Sequence, residues 1–274
     1  MQKNSTHLMK KFILFFLLCQ YSFGQHVIKD LFKDYKKWKH KQWSSEQIFK
    51  YSGLGLVQQN LQQQSFSQNQ FTGYGLAAFG SKVVDRTKYE LGVERYLGLL
   101  PLFKSENGTA NSYSINTVLA RHYLRKVNKN FSLGAQLAFS FSGRLGSEYD
   151  NNTFATEIFT SLKPKINYKK DVRFFKKTYG IDYSLSAAVG SIGFWTPTYT
   201  SNFTNNKLGI FLPNSYNAID SRIFLKFPNK KRIPSISPML GYGWNLQTLT
   251  STKYPMVTNG THTLYIIAKI HKIK

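Results

Sequence analysis

Apolar and polar residues alternate along most of the chain, most cleanly in residues 131–144, FSLGAQLAFSFSGR. As a strand, Phe131, Leu133, Ala135, Leu137, Phe139 and Phe141 form one face, and Ser132, Gly134, Gln136, Ala138, Ser140 and Ser142 form the other. A soluble sheet turns such an apolar face to its core. A membrane barrel turns it to lipid and keeps the small polar face for the lumen. YGIDYSLSAAVG repeats the pattern, with Tyr179, Ile181, Tyr183, Leu185, Ala187 and Val189 against Gly180, Asp182, Ser184, Ser186, Ala188 and Gly190. From Ile48 onward the period of two predicts ten strands, near 48–58, 71–80, 87–99, 111–125, 131–143, 154–168, 178–190, 218–227, 235–249 and 261–272. Several reach the ~9–11 residues that a tilted membrane-spanning strand needs. The predicted fold is all-β, an antiparallel up-and-down transmembrane β-barrel. Twelve strands is the alternative count, since TSNFTNNKLGI within 196–217 has room for a further hairpin.

The connections alternate in length and charge. GSKVVDR, RKVNKN, KKDVRFFKK and PNKKR, after even strands, are short and basic. NLQQQSFSQNQ, PLFKSENGTAN, LGSEYDNNT, TPTYTSNFTNNKLGIFLPNSYN and TSTKYPMVTNG, after odd strands, are longer and rich in Asn, Ser, Thr, Gln and Gly. Short turns on one side and long loops on the other are the outer-membrane pattern, with both termini then periplasmic.

The expected lumen face carries Gly, Ser, Ala, Thr and Gln in preference to Lys or Glu. Gly53-x-Gly55, Gly73-x-Gly75 and Gly241-x-Gly243 put paired glycines there, beside outward Leu54, Tyr74 and Tyr242. None precedes a helix pattern, so they do not read as phosphate loops. Glu90, Glu94, Glu157 and Asp182 fall on the polar face, and Arg144, Arg222 and Lys226 are expected to join them. A desolvated charge is costly unless paired, so these seven define a candidate lumen network. That network is either a selectivity ring or a plug of mutually satisfied charges, and a narrow ten-stranded bore favours the plug. Tyr123, Tyr168, Phe227 and Trp244 are candidates for interfacial girdles, with ordinary strand aromatics as the alternative.

The N-terminal segment supplies a compartment. Lys10-Lys11, the apolar FILFFLL and Ser22-x-Gly24 before Gln25 predict a cleaved export signal over 1–24, with Met9 a more natural start than Met1. Cys19 is the single cysteine and lies inside that signal, which excludes disulfides and cysteine metal sites from the mature chain. The formal charge is +24, leaving +21 from Gln25 once Lys3, Lys10 and Lys11 are removed. For an exported chain this favours anionic headgroups or acidic ligands as partners over nucleic acid. HVIKDLFKDYKKWKHK, 26–41, predicts a basic amphipathic helix within a 25–45 segment ahead of a barrel over 46–274. Such a helix lies on an anionic membrane, plugs a pore, docks on a periplasmic partner or packs as a plain helix.

Catalytic signatures are absent from the sequence. His122, His262 and His271 occur in the barrel region without HExxH or G-x-S-x-G, and His122 with Glu94 or Asp85 is the one conceivable hydrolytic set, a satisfied polar-face histidine being the favoured reading. The expectation is a non-enzymatic protein without cofactor or metal, with outer-membrane lipids as partners and no oligomeric state assigned. With its signal ending YSFGQ, its lysine-rich composition and the closing GYGWNLQTL…THTLYIIAKI, the chain resembles the small outer-membrane barrel proteins of the Bacteroidota. The resemblance implies a barrel in the outer membrane and assigns no chemistry. The expected function is a narrow porin-like channel or a structural barrel. An interaction module and an outer-membrane hydrolase are the alternatives.

Overall fold

The computed structural model describes residues 47–63, 70–105, 111–146, 153–195, 207–228, 236–251 and 254–272. The expected signal and the basic helix lie outside these residues. Strands are β1 (Gln47–Gln63), β2 (Gln70–Asp85), β3 (Tyr89–Ser105), β4 (Asn111–Lys126), β5 (Phe131–Gly146), β6 (Thr153–Phe174), β7 (Lys177–Ala187), β8 (Gly190–Trp195), β9 (Lys207–Phe211), β10 (Tyr216–Lys226), β11 (Ile236–Ser251) and β12 (Tyr254–Lys272). All pairings are antiparallel, and β1 pairs with both β2 and β12. The ring closes as β1-β2-β3-β4-β5-β6-β7-β10-β11-β12, a ten-stranded barrel, with β8 and β9 as an extra hairpin. That hairpin overlaps the segment in which the sequence leaves room for one.

Register fixes the geometry. Cross-strand partners lead from Gln47 through Asp85, Glu90, Leu124, Gly134, Lys165, Ser186, Asp220, Asn245 and Thr261 back to β1 at Gln59, twelve residues beyond the start. That stagger over ten strands tilts them by about 40° and makes a bore roughly 20 Å wide between backbones, narrow enough for side chains to fill.

The faces settle which solvent each side meets. Leu133, Leu137 and Phe139 are exposed, whereas Ser132, Gln136, Ala138 and Ser142 are buried. Around the wall the same inversion holds, with Leu54, Leu56, Leu76, Leu99, Leu119, Ile223, Leu264 and Ile266 exposed and Gln59, Asn116, Ser161, Asn259 and Thr263 buried. Hydrocarbon is the solvent in which such a surface is stable. Phe141 departs from its face: it folds over Gly143 and is buried. Tyr123, Tyr168 and Phe227 are exposed on the outer wall, while Trp244 is half-buried.

Strands overrun the predicted boundaries because pairing continues past the apolar band, where both faces meet water and the period of two fades. The β6–β7 hairpin shows this most. β5 pairs with β6 only as far as Tyr168 and β10 with β7 only from Gly180, so 169–179 project beyond their neighbours. KKDVRFFKK is therefore mostly strand, and its turn is Phe175-Lys176, both at positive φ (46° and 61°). Two-residue hairpins demand this conformation, and side chains other than Gly and Asn pay for it. Replacing the pair by Asn-Gly should stabilise the barrel by about 1–2 kcal/mol, read as a raised unfolding midpoint in detergent.

Inward glycines admit large neighbours. A Cβ at Gly241 would lie 2.4 Å from the Phe224 ring, which packs on Phe79 with centroids 5.7 Å apart. Gly241→Val should therefore cost about 1–3 kcal/mol by displacing that ring, measurable as a lower unfolding midpoint.

Candidate functional site

The lumen holds two linings. Tyr51, Val57, Phe79, Phe224, Met239, Tyr265 and Ile267, from β1, β2 and β10–β12, form an apolar lining. A charged lining comes from β3–β6, with two further charges from β10. Alternation places these side chains inward: Glu90 and Glu94 on β3, Lys163, Lys165 and Lys169 on β6, and Asp220 and Arg222 on β10.

Glu94 is the hub. Its Oε1 accepts from Lys165 Nζ at 2.5 Å, and its Oε2 accepts from Arg222 Nη1 at 2.7 Å. β3 and β10 stand five places apart in the ring of ten, on opposite walls, so the Glu94–Arg222 pair crosses the full bore. The Arg222 guanidinium also lies 5.4 Å from the centroid of the Phe79 ring, which binds the charged lining to the apolar one.

Further pairs stack on either side. Toward the short-turn end, Glu90 is ion-paired with Lys169, accepts from Asn167 Nδ2 at 3.1 Å, and lies 3.5 Å from His122 Nε2. His122 Nδ1 is 3.3 Å from Glu94. The imidazole fits because residue 92 is glycine: a Cβ there would sit 2.2 Å from its Cε1. Asp85 and Lys126 pair at 2.5 Å beyond. Toward the loop end, Asp220 pairs with Lys163 and accepts from Asn245, and Arg144 pairs with Glu157. Between them runs an amide relay in which Asn116 donates to Gln59 at 2.8 Å and Gln59 donates to Asn259 at 2.7 Å. A space of about 620 Å³, open solvent at its mouth included, lies here, lined by Asn116, Asn259 and Thr261 together with Tyr96, Phe159 and Tyr265.

Of the seven residues singled out from sequence, the structure links Glu90, Glu94 and Arg222 through shared partners, and sets Arg144 and Glu157 together as a separate pair nearer the loop end. Asp182 and Lys226 are half-buried on inward positions and are not brought into the ion pairs of the network. Asp182 is the cross-strand partner of Lys169, whose ammonium turns to Glu90, and Lys226 is level with Gly180 nearer the short turns. The expectation that lysine avoids the lumen face is corrected by β6: Lys163 and Lys165 are buried there. The signal for them was parity, since Lys163, Lys165, Asn167 and Lys169 lie at even spacing from Glu157. Asp220 and Asn245 become legible only once register brings them level with Lys165, one inward position from Lys163. No group of three metal-ligating side chains occurs among the described residues.

A closed antiparallel ring, apolar on its outer wall and filled with side chains within, defines the class: a transmembrane β-barrel of the outer-membrane type. The solved structures agree on the fold. The outer-membrane protease OmpT of Escherichia coli superposes with a TM-score of 0.53 at 9% identity, covering 85% of this chain and 99% of that one. More distant are the translocator domain of autotransporter NalP from Neisseria meningitidis (TM-score 0.36, 6% identity, 90% and 97% covered) and the toluene transporter TodX of Pseudomonas putida (0.30, 8%, 84% and 90%). Only the first likeness bears on the architecture. No family model matches the sequence, and no curated protein matches it significantly.

Proposed function

We propose that this chain is a non-enzymatic structural or accessory barrel of the outer membrane, closed by an ion-pair plug, and not an open diffusion channel. The observation that carries this is the Glu94–Arg222 contact between opposite walls, backed by Lys165 and by the Phe79–Arg222 stacking. Within the plug five cations, Arg144, Lys163, Lys165, Lys169 and Arg222, meet four carboxylates, Glu90, Glu94, Glu157 and Asp220. Such near-neutral, mutually paired charge suits closure better than ion selection.

The protease activity of OmpT belongs to that protein. Here both nitrogens of His122 face carboxylates already engaged by Lys165 and Lys169, an arrangement that holds the ring in place. The lysine-rich composition and closing strands support kinship with the Bacteroidota barrels, and the short basic turns support periplasmic termini behind a cleaved signal. In that orientation residues 26–41 would meet a periplasmic partner or anionic headgroups, so deleting 26–45 should abolish such a contact and leave the barrel folded.

Planar-bilayer recording tests the plug. Wild type should give no unitary steps, and Glu94→Ala with Arg222→Ala should produce them by clearing the cross-bore pair. Porin-sized steps from wild type would refute closure.

A further inference from the structure

The outer wall of β1–β4 carries charges where lipid-facing residues are expected to be apolar. Arg95 and Arg121 are exposed and make no ion pair among the described residues. Arg95 is paired across strands with Leu119, and Arg121 with Leu137 and Val93. Leu97, Leu119 and Tyr123, their neighbours along the same face, are exposed too. Arginine in such a band costs about 2–4 kcal/mol at mid-depth. Carrying two side by side requires compensation.

Among the described residues this sector does not supply it. Every carboxylate of β1–β4, namely Asp85, Glu90 and Glu94, points inward and is already paired. The outward positions instead add cations. Lys50 and Lys82 are cross-strand partners, and Lys82 is level with Val93 and hence with Arg121. Arg125 follows on β4, opposite Tyr89. Acids inside and bases outside form one basic strip, running from Arg95 and Arg121 toward the short turns. The two arginines start roughly 15 Å from that end along the axis, and an extended side chain shortens the gap further.

We propose that this strip binds the phosphate of an anionic membrane lipid, with Arg95 and Arg121 as the pair that grips it. Their register makes them diagonal neighbours across β3 and β4, about 7–8 Å apart at the backbone, a span one phosphate bridges with charge-assisted hydrogen bonds from both guanidinium groups. Arg125 flanks the headgroup on the turn side. The Tyr89 and Tyr123 rings, 5.6 Å apart, supply an amphipathic ledge of the kind found at headgroup level. A second copy docking through this same wall does not complete the site, because the acids of β1–β4 face its own lumen. The proposal needs only the membrane placement of the barrel and is independent of whether the bore conducts.

The test uses the full barrel in nanodiscs of pure phosphatidylcholine and of an equal mixture with phosphatidylglycerol. Wild type should unfold about 4–8 °C higher in the mixture, as two lipid-engaged arginines imply, and should retain phosphatidylglycerol in native mass spectrometry. Arg95→Leu with Arg121→Leu should lose that shift and the retained lipid, while unfolding higher than wild type in pure phosphatidylcholine because two lipid-facing charges are gone. Arg95→Lys with Arg121→Lys should keep part of the shift. Equal shifts in wild type and the leucine variant, no shift in either, or a leucine variant weaker in phosphatidylcholine would each overturn the proposal. In every case, retained heat-modifiable migration shows separately that the barrel itself is formed.

Discussion

Glu94→Ala is expected to lower the stability of the barrel by about 3–5 kcal/mol, because it strands Lys165 and Arg222 inside the bore without their shared counter-ion. The loss comes less from the attraction removed than from the uncompensated charges left behind. Restoring neutrality should therefore recover most of it. Glu94→Ala combined with Lys165→Met and Arg222→Met should come back toward wild type, since a buried ion pair is often replaceable by apolar side chains of similar size. Denaturant unfolding of detergent-folded protein measures both variants. A triple variant as weak as the single one would mean that Glu94 holds the fold by some route other than charge pairing.

The second large effect tests the outer surface. Leu54 is 72% exposed and level with Ala78 on β2 and Ile266 on β12. At such exposure in a soluble protein, Leu→Arg would be close to neutral. In a bilayer Leu54→Arg should cost about 2–4 kcal/mol, since the guanidinium must reach the interface or draw water to itself. Among the described residues β1 and β12 carry no anion to receive it, and the basic strip on β2–β4 adds repulsion. Folding equilibria in lipid vesicles should show the loss.

Much of this architecture was legible in the chain. The alternation of Leu133, Leu137 and Phe139 with Ser132, Gln136 and Ala138 survives as outside against inside because lipid and lumen differ in polarity at every step of the pleat. Outside the apolar band that contrast ends. This explains why β1 runs on to Gln63 and β6 to Phe174, well past the predicted boundaries. The ten strands of the ring follow the ten apolar periods, and β8–β9 escaped clear assignment because KLGIF is short and flanked by polar loop sequence.

The site was legible by residue type and not by partner. Glu90, Glu94 and Arg222 stood out as charges on a face that should be polar but uncharged. Which cation meets which acid depends on the twelve-residue stagger, which sets β3 level with β6 and β10, and periodicity within a strand carries no information about it. Asp182 and Lys226 show the consequence: correct in face, neither enters the pairs, and Asp182 stands directly across from Lys169, whose ammonium turns to Glu90 instead. His122 was legible as a polar-face histidine, while its seat required Gly92 opposite.

The central claim is that lipid covers the apolar side of each strand. In a Cys19→Ser background, single cysteines at 132 to 138 can each carry an environment-sensitive fluorophore, with the barrel reconstituted in vesicles of brominated lipid. Strong quenching is expected at 133, 135 and 137 and weak quenching at 132, 136 and 138. Quenching without alternation, or the strongest quenching at 136 and 138, would contradict the claim.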